Sequence, residues 1–112
     1  MSTSIPAENK VVTQFSHIVV IWTEPPDATA AEKLIAGADR YLKNIPGIVA
    51  FHAGRMVGSH RPVVDQSYQV ALNVVFKSRA DHDAYQLHPQ HVEFVDKVLN
   101  PVRKKVLVYD FE

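Results

Sequence analysis

The segment FSHIVVIW (residues 15–22) is apolar on both of its alternating faces. Phe15, His17, Val19 and Ile21 fall on one side, and Ile18, Val20 and Trp22 on the other. Its β-branched and aromatic content makes it a strand. A strand with one wet face would alternate apolar with polar, so this one needs cover on both. YQVALNVVF (68–76) repeats the demand, with Tyr68, Val70, Leu72, Val74 and Phe76 alternating with Gln69, Ala71, Asn73 and Val75. The sheet must lie between two layers. The chain has 112 residues. That is one domain, whose folding buries roughly two thirds of the unfolded surface.

Helical patterns supply one layer. After the turn EPPD, a helix begins near Asp27 or Thr29, and Thr29-Ala-Ala-Glu32 has capping-box spacing. Leu34, Ile35, Ala38, Leu42 and Ile45 recur at helical period until Pro46-Gly47 stops the run. GIVAFHAGRMV (47–57) reads as a second strand and GSHRPVVDQS (58–67) as a loop. Ser78-Arg-Ala-Asp81 has the spacing of another helix start, and the pattern runs with one interruption to about Leu99. VRKKVLVYDF (102–111) is the fourth strand. Residues 1–12 read as a flexible tail, leaving 13–112 as the domain. The order β-α-β-β-α-β predicts an α+β, ferredoxin-like fold with a four-stranded antiparallel sheet and both helices on one face. The apolar second face then predicts a homodimer formed sheet to sheet; a loop or tail lying over it is the alternative.

Composition narrows the function classes. Lys+Arg and Asp+Glu both number 12, so the net charge is zero, and nucleic acid or an anionic membrane is not expected as a partner. The absence of cysteine excludes disulfides and thiol catalysis. No apolar run approaches a membrane span and the first residues do not read as a signal peptide, so a cytoplasmic address is expected.

The chemistry concentrates in YQLHPQHVEF (85–94). Pro89 must break the second helical region and is welcome as the first residue of a new helix. His88 then sits at the junction and His91 in the first turn, where the helix N-terminus disfavours imidazolium. Helical phase puts His91 with Val92, Val95, Val98 and Leu99 on the core side, within reach of Tyr85. A neutral imidazole beside a phenol suits general acid–base work. His17, in phase with Phe15, Val19 and Ile21, and His52, between Phe51 and Ala53, can face the same cavity, whereas His60 and His82 are expected in solvent. The plain alternative is a hydrogen-bonded core histidine and a space-filling tyrosine. A metal site is not expected at His88-x-x-His91, because Pro89 interrupts the pair and a third ligand is missing.

FSHIVVIW, IPGI, YQVALNVVFKSRADHDAYQLHPQHVEFV and VLVYDFE resemble the stress-responsive α/β-barrel (Dabb) family over residues 14–112, most specifically in H-P-x-H-V. The resemblance implies small ferredoxin-like chains that pair through their sheets into a dimeric α+β barrel. One characterised relative, olivetolic acid cyclase of plants, closes a linear polyketide by aldol condensation without a cofactor. By that resemblance Tyr85 and His91 are catalytic, and His17 matches a pocket histidine. His52 and His88, from the reading of the residues themselves, are further substrate-binding candidates. Val70 stands where the cyclase has a histidine, so the resemblance does not carry over the cyclase's own substrate. The expected activity is a cofactor-independent cyclase or isomerase acting on a small carbonyl or polyketide-like substrate. The alternatives are a non-catalytic homodimeric barrel that binds a small apolar ligand or acts in a stress response, and a cofactor-free monooxygenase of the related dimeric type.

Overall fold

The computed structural model describes residues 13–112. The tail expected over 1–12 lies outside them. The elements run β1 (Phe15–Thr23), α1 (Ala28–Tyr41), β2 (Ile48–Arg55), β3 (Val70–Phe76), α2 (Arg79–Leu87), α3 (Pro89–Phe94) and β4 (Arg103–Phe111). The strands form one sheet in the order β2-β3-β1-β4, every neighbour antiparallel. This is the ferredoxin-like α+β fold, with the helices on one face.

The two-faced strands behave as their pattern dictates. Along β1, Phe15, His17, Val19, Ile21 and Thr23 are buried, and the residues between them are half-exposed. On β3, Val70, Leu72, Val74 and Phe76 are buried beneath the helices. They join Leu34, Ala38 and Leu42 from α1 and its end, Tyr85 from α2 and Phe94 from α3 in one core. Each large apolar side chain so buried contributes about 1.5–3 kcal/mol. The opposite face is open: Leu107, Tyr109 and Phe111 of β4 are 38%, 55% and 59% exposed. Their β1 neighbours Val20, Ile18 and Ser16 share that face. Among the described residues, no helix is long and apolar enough to cross a membrane.

The helix starts follow side-chain capping. Asp27, not Thr29, caps α1 by accepting from the Ala30 amide at 2.9 Å. Ser78 caps α2 by accepting from the Asp81 amide at 3.3 Å. Each satisfies an amide that the first helical turn leaves without a partner. Helix α1 ends at Tyr41, short of the expected Ile45. The residue before a proline is disfavoured in helical conformation, so the chain unwinds before Pro46. A turn closed by the Ile45 amide on the Leu42 carbonyl keeps both side chains in the core. Strand β3 starts at Val70 rather than Tyr68, and the Gln69 side chain accepts from the Thr23 amide at 2.8 Å.

The second helical region divides where proline requires. Pro89 has no amide to donate, and the His88 amide takes the Tyr85 carbonyl instead, at 3.1 Å. His88 accepts from the Gln90 amide through Nδ1 at 3.1 Å and so caps α3. Beyond Phe94 the chain widens into a π-type turn, Val95–Leu99, in which the Asn100 amide reaches the Val95 carbonyl. The wider turn advances the helical phase. Phe94 and Leu99 face the core, while Val92, expected inside, is 48% exposed.

Gly47 connects α1 to β2 with a φ of 95°, and a Cβ there would lie 2.7 Å from Asp81 Cβ. Alanine at 47 therefore meets an unfavourable φ and a clash with the cap of α2. Gly47→Ala is expected to destabilise the fold by about 1–3 kcal/mol, read as a lower midpoint in urea. An unchanged midpoint would contradict this close approach.

Candidate functional site

Five polar aromatic or acidic side chains meet beneath the helices. β1 points His17 into the core through its period of two, and the register sets Asp110 directly across on β4. His17 Nδ1 and Asp110 Oδ1 are 2.5 Å apart. α2 places His82, Tyr85 and Gln86 on one side, and the break at His88-Pro89 brings His91 back onto Tyr85. The Tyr85 and His91 ring centres are 4.7 Å apart, and those of His17 and Tyr85 are 6.0 Å apart. Phe76 closes the base, its ring 4.9 Å from Tyr85.

The protonation states follow from this burial. Tyr85 is 1% exposed, and burial pushes its hydroxyl well above the ordinary tyrosine range. It therefore keeps its proton and acts as a donor. Burial, and then repulsion from His17, hold His91 below the ordinary histidine value. The Gln86 backbone acts in the opposite sense. A neutral imidazole has one donor and one acceptor nitrogen. The expected neutrality of His91 thus has burial as its leading cause. His17 is also lowered, chiefly by burial, although its hydrogen bond to Asp110 acts in the opposite sense.

Of the residues singled out in the sequence, His17, Tyr85 and His91 come together. His52 does not join them. It pairs across from Asn73 on the open face of the sheet. There it lines a cleft of about 160 Å³ with Ile18, Gly54, Ala71 and Asn73. Its neighbours Phe51 and Ala53 point to the core, so alternation alone sends His52 the other way. His88 is spent on capping α3. His82, expected in solvent, is buried. Its ring lies 4.5 Å from Phe15 and 4.8 Å from His17, centre to centre. The sequence signal was present, because His82 stands three residues before Tyr85 and shares its helical face. Asp110 was missed outright. It continues the period-two face of Val106 and Val108, and only the β1–β4 register reveals its partner.

Comparison with known proteins adds a family and a fold. The stress responsive A/B barrel domain matches residues 15–112. A stress-response A/B barrel domain-containing protein of Arabidopsis thaliana is 26% identical over 97 residues, spanning 87% of this chain and 84% of that protein. A dimeric ferredoxin-like protein of unknown function from Thermobifida fusca superposes with a TM-score of 0.72 at 19% identity, covering 88% of this chain and 89% of that one. A hydroxynitrile lyase from Passiflora edulis superposes with a TM-score of 0.71 at 19% identity, covering 88% and 91%. The likeness to these two structures is one of fold.

The lowered histidines give a pH signature. Below about pH 6.5 the unfolded chain binds protons that folded His17 and His91 refuse. Stability therefore falls as pH drops from 6.5 towards their folded values. Histidine NMR titrations are expected to place both below 6.5, and Asp110→Asn to lower His17 further while sparing His91. A rise in His17 on that substitution would contradict the assigned causes.

Proposed function

The chain belongs to the stress-responsive A/B barrel domain family, and on that premise we propose that it is a cofactor-independent acid–base enzyme acting on a small carbonyl compound. The observation that carries the proposal is a proton-holding phenol in contact with a neutral imidazole, one nitrogen of which accepts. In this reading His91 takes a proton from the carbon alpha to a carbonyl. Tyr85 hydrogen-bonds the carbonyl oxygen as negative charge gathers there. The enolate then either regains a proton at another position, which is isomerisation, or attacks a second carbonyl within the molecule, which is ring closure. In the second case the new alkoxide takes the proton back from His91. His17, held by Asp110, is the positioning residue.

A β-diketone in D₂O tests the first step alone. The protein is expected to speed deuterium uptake at the central carbon above the buffer rate. Tyr85→Phe and His91→Gln are each expected to reduce the increment by about 10²–10⁴-fold. Exchange no faster than buffer, or unchanged in both variants, would sink the proposal. The burial of His17 and Tyr85, together with the separate cleft beside His52, favours one rival, a barrel that holds a small apolar ligand without chemistry. Binding of the diketone with no exchange is the result that rival expects.

The same membership supports a homodimer formed through the open sheet face. Zero net charge offers little resistance to self-association. Leu107, Tyr109 and Phe111 supply an apolar surface of the kind that partners cover. Sedimentation is expected to give twice the 12.6 kDa chain mass, and Leu107→Asp with Tyr109→Asp to halve it. A single-chain mass for the wild type at micromolar concentration would overturn this assembly.

A further inference from the structure

His17, His82 and Asp110 converge beside the Tyr85–His91 pair, with one ligand-type atom from each lying within 4.8 Å of the others. We propose that these three side chains bind a single divalent transition-metal cation, of the zinc or cobalt class. Two imidazoles and a carboxylate are the donor set such cations favour, and three protein ligands leave a coordination position open. Cations of this class hold nitrogen and oxygen donors at about 2.0–2.2 Å, so the donors of a tetrahedral site lie about 3.3 Å apart. Modest side-chain movement brings the three to that spacing.

The tautomer of His82 carries the argument beyond proximity. His82 Nδ1 lies 3.1 Å from Asp83 Oδ1, a carboxylate that can only accept there. Its Nε2 lies 3.2 Å from the Gln86 side-chain nitrogen, which donates. Both contacts put the proton on Nδ1 and the lone pair on Nε2. That Nε2 is 3.9 Å from Asp110 Oδ2. An imidazole whose remote nitrogen donates to a carboxylate is the arrangement that orients a metal-ligating histidine and raises its basicity. His17 already touches Asp110 through Nδ1, and the cation replaces the proton between them. The Asp110 side chain is 39% exposed and provides the way in. Gln86 turns aside as its contact with Nε2 is lost.

Cobalt(II) added to the full chain tests the proposal by its visible spectrum, which strengthens on leaving six-fold water coordination. One equivalent is expected to give that change, and zinc to displace it. His82→Asn and Asp110→Asn are expected to abolish binding. Asp83→Asn, at an exposed position away from the cation, is expected to weaken it about 10–100-fold, as loss of such an orienting carboxylate does. A His60→Ala variant, at an exposed loop position, is expected to bind as wild type. A spectrum no different from free cobalt, or affinity unmoved by Asp110→Asn and Asp83→Asn, would overturn the proposal. So would loss of binding in the His60→Ala variant. The readout is independent of any carbonyl chemistry, so its failure and the failure of the proposed function are separate events.

Discussion

Proline at 89 cannot donate to the carbonyl at 85, and the second helical region therefore cannot run straight. A continuous helix from Arg79 would carry position 91 onward along its axis. The break instead lets the His88 amide close α2 and the His88 side chain open α3. Two helix ends are thereby satisfied by one residue. The same bend returns His91 to the ring of Tyr85, and it is this contact that makes the pair chemically interesting.

The sheet divides the molecule's tasks by face. The helix-covered face holds every group of the polar cluster, because the odd residues of β1 and the even residues of β3 and β4 all point there. Burial on that face holds His17 and His91 below the ordinary histidine value and keeps the tyrosine protonated. The other face carries His52, Asn73, Tyr109 and Lys105 among largely apolar residues such as Leu107 and Phe111. A substitution on one face reaches the other only through the backbone.

The fold was legible because its signals are periodic. Two-faced apolar strands, helical spacing and a proline in mid-pattern each have one structural solution, and together they fixed the element order. Ends were less legible. The competition between Asp27 and Thr29 as cap, and the unwinding before Pro46, turn on single hydrogen bonds. Val92 was misplaced because a π-type turn changes helical phase, and periodicity assumes a constant one. The site was legible where partners are near in sequence, as with Tyr85 and His91. It was not legible at Asp110, whose importance depends on pairing with His17 across a register that alternation cannot supply. His82 fell between, visible by helical phase but read by polarity alone.

The most direct test of the account is a crystal structure of the protein soaked with a β-diketone, read at one place. The account predicts a ligand oxygen within hydrogen-bond distance of the Tyr85 hydroxyl and the acidic carbon facing the free nitrogen of His91. A diketone seated only in the cleft beside His52, with Tyr85 and His91 closed on each other, would contradict it.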